Sequence, residues 1–243
     1  MSTLPLSGRV TLVTGASRGI GYAAALELAK AGSHIIALAR TQGGLEDLDD
    51  AIKSAGGECT LVPMDLKNLD GIDQLGGIIN ERWGRLDGLF ANAGVLGEVT
   101  LAAHTTPKTW DEVMTVNLAA NYRLIRSLDT LLRASPLGRA VFQTSGVANS
   151  RRAYWSAYAA SKAALEAFVQ CYAKETEGSN LRVNLLNPGA TRTAMRAKAM
   201  PGEDPDSLPK PSDIATLVVQ MLSPSYTEQD EIVSYRDWAA GKS

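Results

Sequence analysis

Tyr158 and Lys162 stand four residues apart in the run Tyr158-Ala159-Ala160-Ser161-Lys162. At the start of a helical stretch that interval is about one turn, so phenol and ammonium project from one face and can act on one substrate. A free phenol has a pKa of about 10, and a neighbouring cation favours the phenolate, which brings proton transfer closer to neutral pH. Lys162 would supply that cation. Such a pair alone is common on helix surfaces. Its surroundings give it meaning: Ser145 lies thirteen residues earlier, just past an apolar run. Ligands of open parallel sheets bind at the carboxyl ends of strands, where the Ser145 hydroxyl could bond a carbonyl oxygen.

Short apolar runs alternate with stretches of helical period, the pattern of successive strand–helix units that build a parallel sheet. Strands are expected at 10–14, 35–40, 60–64, 88–91, 140–144, 182–186 and, less clearly marked, 231–235. Helices are expected at 20–31, 45–55 and 69–83, each stopped by glycine (Gly32, Gly56-Gly57, Gly84). Two longer helical stretches follow at 107–133 and 155–177, and the Pro/Asp-rich segment 201–211 reads as a loop. The expected fold is α/β, a doubly wound (Rossmann), mostly parallel seven-stranded sheet with helices on both faces. No repeat or linker divides it, so residues 1–243 are expected to form a single domain.

The turn Thr14-Gly15-Ala16-Ser17-Arg18-Gly19-Ile20-Gly21 follows the first strand and opens the first helix, where a glycine-rich turn binds dinucleotide phosphate. Gly15 permits the sharp turn. Gly19 and Gly21 would let a pyrophosphate approach backbone N–H groups at the positive helix end and let helix and strand pack closely. The spacing G-x-x-x-G-x-G differs from the common G-x-G-x-x-G fingerprint. An NAD site usually carries an acid near the end of the second strand; here that strand ends Leu38-Ala39-Arg40. Arg40, with Arg18 nearby, suits a 2′-phosphate, since guanidinium can bond phosphate through two donors. NADP(H) is therefore the preferred cofactor, with NAD(H) possible. Asp65, beside Leu66 after the third strand, could accept a hydrogen bond from the adenine amino group or else cap a helix.

Of 243 residues, 45% are hydrophobic and 21% charged, close to the globular average, so neither a disordered tail nor a disulfide scaffold is indicated. The 24 basic and 26 acidic residues form no long single-sign block, so neither nucleic acid nor an anionic membrane is an expected partner. Cys59 and Cys171 show no metal spacing and read as packing residues, and His34 and His104 stand apart from the site, so no metal is proposed. With no charged-then-apolar leader at its start, the chain is expected in the cytoplasm.

The glycine turn, Asn92-Ala93-Gly94, Asn117, Ser145, Tyr158/Lys162 and Pro188-Gly189, in that order over nearly the whole chain, resemble the short-chain dehydrogenase/reductase family, in its compact branch. The resemblance implies a catalytic tetrad: Tyr158 as general acid or base, Lys162 lowering its pKa and holding the nicotinamide ribose, Ser145 orienting the substrate oxygen, and Asn117 supporting a water in a proton relay. It further implies that Asn92-Ala93-Gly94 borders the adenosine ribose, and that the segment Pro188-Gly189-Ala190-Thr191-Arg192-Thr193 holds the carboxamide through Thr191 backbone and Thr193 hydroxyl. The lesser reading of Asn117 is a polar residue satisfying a helix kink, and the two roles are compatible. The C-terminal run Glu231-Ile232-Val233-Ser234-Tyr235-Arg236-Asp237-Trp238 departs from the family's glycine-bearing pattern, so an oligomer is expected with homodimer and homotetramer both open, and a monomer is the alternative. Residues 195–200 could form a short helical lid; Arg151, Arg152 and Trp155 could meet an acidic or aromatic substrate but read rather as surface or interface residues.

The function these residues imply is an oxidoreductase moving hydride between NADP(H) and a carbonyl or secondary-alcohol carbon of a small-molecule substrate. The alternatives are an NAD-dependent alcohol dehydrogenase of the same fold and a non-catalytic nucleotide-sensing protein.

Overall fold

The computed structural model describes residues 4–241. Seven strands, β1 (Val10–Thr14), β2 (His34–Ala39), β3 (Cys59–Pro63), β4 (Gly88–Ala91), β5 (Arg139–Gln143), β6 (Arg182–Asn187) and β7 (Ile232–Ser234), form one sheet in the order β3-β2-β1-β4-β5-β6-β7. Every neighbouring pair is parallel. The order reverses between β1 and β4, which opens a crevice at their carboxyl ends.

Pairing rather than hydropathy sets the strand ends. His34 joins β2 opposite Val10, and Cys59 joins β3 opposite Ile35, so both strands begin and end one residue before the expected bounds. Likewise β5 begins at Arg139, between Gly88 and Arg182, and stops at Gln143, while β6 runs on to Asn187. The last strand shortens to three residues because Tyr235 starts a helix instead.

Ten α-helices lie among the described residues: α1 (Gly19–Lys30), α2 (Gln42–Ser54), α3 (Leu69–Trp83), α4 (Pro107–Met114), α5 (Ala120–Ala134), α6 (Val147–Ser150), α7 (Ser156–Glu175), α8 (Ala194–Ala199), α9 (Pro211–Met221) and α10 (Tyr235–Ala239). Side chains alternate across a strand, so each strand feeds two cores. Leu12, Leu89 and Phe142 face one core with Ile72 and Leu75 of α3, Leu124 and Leu128 of α5, and Leu165 and Val169 of α7. Val13, Ile35 and Val141 face the other, with Ala24 and Leu28 of α1, Leu48 and Ile52 of α2, and Ile214 and Val218 of α9.

Two helical expectations need correction. The single helix expected over 107–133 is divided: α4 and α5 are joined by a π-helical turn, Thr115–Ala119, that carries Asn117. A wide turn of this kind leaves apolar periodicity almost unchanged while rotating the side chains beyond it. The segment 201–211 is a loop with one 3-10 turn, Pro205–Ser207, but Pro211 is already the first residue of α9, which had no counterpart in the sequence reading. Proline suits that position because its missing N–H would have had no helical acceptor, and the Asp213 carboxylate accepts the Lys210 N–H at 2.7 Å.

The amino ends of the central strands are tied together by buried ions. Asp87, 2% exposed, accepts from Val10 N (3.0 Å), Ser135 Oγ (2.6 Å) and Arg85 Nε (3.1 Å). Arg9 donates to the carbonyls of Asp87 (2.7 Å) and Leu137 (2.9 Å), and Arg139 to those of Gly138 and Pro224 (both 2.7 Å). Burial, aided by Arg9 and Arg182, draws the Arg139 guanidinium down to about 10.

Candidate active site

The glycine-rich turn is built around two close approaches. Gly15 holds φ +67°, and a Cβ on Gly21 would stand 2.3 Å from the Gly15 carbonyl oxygen and 2.5 Å from Asn92 Nδ2. Gly21 therefore serves packing, and a role in approaching a ligand falls to Gly19 (φ +59°), whose nearest neighbour would be Thr193 Cγ2 at 3.5 Å. Beyond the turn, α1 begins with an Arg18 that gives no side-chain cap and with no acid in its first turn. Uncapped N–H groups at the positive helix end, beside a Gly19 whose Cβ position would meet only Thr193 Cγ2, fit a phosphate. Ser17 and Gly19 are half-buried beside it and Ile20 is buried in the core.

Asn92 secures the turn. Its amide donates to Thr14 O at 2.9 Å, and the backbone N–H groups of Asn92 and Ala93 both donate to Thr14 Oγ1 at 3.0 Å, so the ends of β1 and β4 are sewn across the crevice. At the edge of the same crevice Arg40 is 65% exposed, with Asp65 3.9 Å away. Asp65 accepts the Lys67 N–H at 3.0 Å and caps no helix; Asn68 caps α3 by accepting from Gly71 N. Leu66 is buried in the core beneath.

Ser145 follows the end of β5, where Thr144 N–H continues the ladder to Leu186 O at 2.8 Å. Tyr158 sits in the first turn of α7, packed among Leu96 and Val147 with Trp155, Ala159 and Ala199 at the edge. Burial pushes its hydroxyl up to about 12, opposed by the nearby Ser145 hydroxyl. Lys162 is buried too, and loss of solvent draws its ammonium down to about 8. Here the expected lowering of Tyr158 by Lys162 is absent: Nζ donates to Gln143 O at 2.7 Å and lies 5.9 Å from the centre of the phenol ring.

Asn117 is fully buried and uses its side chain structurally. Nδ2 donates to Val95 O (2.9 Å) and Ser161 Oγ (3.0 Å), and Oδ1 accepts Val95 N–H (2.8 Å). The widened turn thereby pins the segment after β4 to α7. Gly94 leaves room there: a Cβ on it would be 3.2 Å from Asn117 Oδ1 and 3.7 Å from Lys162 Nζ.

After β6, Pro188 is buried and Gly189 turns with φ +66° into open space. Thr191 Oγ1 donates to Pro188 O (3.2 Å); Thr193 Oγ1 donates to Thr191 O (3.3 Å) and accepts Arg196 N–H (3.2 Å), capping α8. Arg196 clasps Glu203 through two bonds of 2.5 and 2.6 Å, and Ala199 lies against the Tyr158 cluster, so α8 forms one wall of the site. Trp155, read as a surface or interface residue with substrate contact as the alternative, is half-buried, and its ring packs edge-on against Tyr158 with centroids 6.1 Å apart. Arg151 and Arg152 are exposed. Asn187 was missed by the sequence reading: its Oδ1 accepts from both Gly146 N and Gly189 N at 3.1 Å, joining the Ser145 turn to the Pro188-Gly189 turn.

A doubly wound parallel sheet with an uncapped glycine-rich helix start and a serine, tyrosine and lysine gathered beside its crevice defines a Rossmann-type oxidoreductase. The family model described as short chain dehydrogenase matches residues 9–204. The uncharacterized oxidoreductase YciK of Escherichia coli (strain K12) is 41% identical over 220 residues, which are 89% of this chain and 87% of that protein. A short chain dehydrogenase of Shigella flexneri 2a str. 301 complexed with NADP is 38% identical with a TM-score of 0.92, covering 97% of this chain and 100% of that one. One of Escherichia coli CFT073 complexed with NADPH is also 38% identical, with a TM-score of 0.90 and the same coverage. The chain belongs to the short-chain dehydrogenase/reductase family of oxidoreductases. No helix among the described residues is long and apolar enough to cross a membrane.

Proposed function

We propose that this protein is an NADP(H)-dependent reductase of a carbonyl compound, working reversibly on the corresponding secondary alcohol. The observation that carries the reading is the gathering of Ser145, Tyr158 and Lys162 at the carboxyl end of β5: Lys162 Nζ lies 5.9 Å from the centre of the Tyr158 ring and donates to Gln143 O, two residues before Ser145. When bound, the nicotinamide supplies or accepts the hydride. Tyr158, whose burial keeps it protonated well above neutral pH, gives its proton to the carbonyl oxygen, and Ser145 Oγ holds that oxygen in line. In the oxidative direction Tyr158 must take the alcohol's proton as a phenolate, the form that burial disfavours. Asn117 holds Gly94 and Val95 in place beside Lys162, and any water relay would run through its neighbourhood. Leu96, Val147, Trp155 and Ala199 keep water from the reacting carbon.

Arg18 and Arg40 are exposed beside the glycine turn to meet a 2′-phosphate, Arg40 with only a loose 3.9 Å pairing to Asp65, while Ala39, buried at the end of β2, offers no carboxylate to a ribose hydroxyl. Asn92, Ala93, Asp65, Gly189, Thr191 and Thr193 would meet the rest of the dinucleotide, with Leu66 and Pro188 buried behind them. An apolar groove on α4, α5 and α7, lined by Met114, Leu118, Tyr122, Ala164 and Phe168, is the face on which a second copy would form the expected oligomer.

Titration with NADPH and NADH, followed by nicotinamide fluorescence, tests the cofactor assignment. Arg40→Ala is expected to weaken NADPH by about ten- to a hundredfold, the loss of a charge-assisted pair, and to leave NADH unchanged. NADH binding as tightly as NADPH in the unmutated protein would refute it.

A further inference from the structure

Glu166 lies one turn beyond Lys162 on α7 and is only 8% exposed. Its carboxylate is committed inside the protein: Oε1 accepts from Thr144 Oγ1 at 2.7 Å and Oε2 from Asn149 Nδ2 at 3.4 Å. Thr144 immediately precedes Ser145, and Asn149 lies in α6 just after it. One carboxylate thus grips both flanks of the turn that carries the serine hydroxyl. The groups around Lys162 are Tyr158 and Glu166 from its own helix, Asn117 from the π-helical turn, the Gln143 carbonyl from β5 and the Gly94 backbone after β4. Glu166 is the one charged neighbour that acts on it, opposing the effect of burial. A buried ammonium without a countercharge is costly, so a carboxylate at this place does something a glutamine would not.

We propose that Glu166 is a positioning residue of the reaction, which fixes the Ser145 turn through Thr144 and Asn149 and is the buried countercharge that keeps Lys162 an ammonium beneath Tyr158. The inference rests on the acid–base roles proposed above. Glu166→Gln keeps the shape and an oxygen for Thr144 but deletes the charge. Removing a nearby negative charge makes every proton of the cluster easier to lose, so the sign of the effect is the same whichever group titrates.

In cofactor-free protein labelled with 13C at lysine Cε, with the Lys162 signal identified by its loss in Lys162→Met, the titration midpoint is expected to fall by about one pH unit in Glu166→Gln. In NADPH-driven reduction of 9,10-phenanthrenequinone, the alkaline limb of kcat/KM moves acidward by a similar shift. Thr144→Val, which removes the tether and not the charge, lowers kcat by about ten- to a hundredfold and leaves that limb in place. Should Glu166→Gln not fold, Glu166→Asp takes its part: charge retained on a shorter stem holds the limb and loses kcat, and a limb that moves overturns the proposal. An unshifted Lys162 midpoint in Glu166→Gln also overturns it. If Tyr158→Phe still reduces the quinone, the acid–base reading itself fails; if Tyr158→Phe is inactive while Glu166→Gln keeps the unmutated profile, only the role of Glu166 is lost.

Discussion

Two alanine substitutions two residues apart are expected to fail in different ways. In Gly21→Ala the methyl would stand 2.3 Å from the Gly15 oxygen and 2.5 Å from Asn92 Nδ2. Neither neighbour yields cheaply, because Gly15 is fixed by its turn and the Asn92 amide is bonded to Thr14 O. Overpacking of a rigid site costs about 1–3 kcal/mol. In a chain of this size each kcal/mol lowers Tm by about 2–4 °C, so the midrange predicts a fall of roughly 4–8 °C. Gly19→Ala meets only Thr193 Cγ2 at 3.5 Å, and its cost is the left-handed backbone, φ +59°. That is about 1–2 kcal/mol, a smaller fall in Tm. Its methyl, however, occupies the gap between the turn and Thr193, where phosphate must approach the helix N–H groups, so NADPH affinity should drop by more than about tenfold. Thermal unfolding with and without NADPH separates the two: Gly19→Ala keeps most of its Tm and loses the ligand-induced rise, whereas Gly21→Ala loses Tm in both. A Gly21→Ala protein with unaltered Tm, or a Gly19→Ala protein that still gains the full NADPH shift, would refute the division of labour.

Lys162→Met should abolish turnover and remove the pH dependence that the buried ammonium gives the fold, while leaving the Glu166 carboxylate without its countercharge. The sign follows from linkage: the folded value of about 8 lies below the unfolded one, so the cost is fully present below pH 8 and disappears as pH rises towards 10.5, where the unfolded chain binds the extra proton. Unmutated protein should therefore gain stability relative to the variant between pH 8 and 10 in denaturant titrations; parallel curves would contradict the shift. Arg196→Ala, which breaks the clasp on Glu203, should free α8 and speed tryptic cleavage at Lys198, with NADPH slowing cleavage in the unmutated protein. Cleavage at one rate with and without NADPH would remove the lid role.

The parts of the site that are close in sequence were legible. Gly15 to Gly21 and Tyr158 to Lys162 each act within a few residues, so their spacing states their geometry. Features that depend on distant partners were not: Asn187 joins two turns only because β5 and β6 are neighbours, and Glu166 reaches Thr144 only because α7 crosses the end of β5. Trp155 read first as a surface or interface residue because its partner Tyr158 lies on a helix whose approach angle the sequence does not state. The π-helical turn left the apolar period of 107–133 intact and so stayed invisible. The placement of α9 depended on α1 offering Ala24 and Leu28 as a surface to cover, since tertiary burial rather than local propensity gives such a helix its stability.

The ion cluster under β1, β4 and β5 has a consequence for how this protein can change. Every residue assigned to chemistry lies at the carboxyl ends of the strands, while Arg9, Asp87 and Arg139 fasten the amino ends with bonds that no ligand needs. Loops at the reactive rim can be exchanged, lengthened or recharged while the opposite rim holds the strands in register. New substrate preferences are thus open to selection through the rim alone, and the foundation is inherited intact.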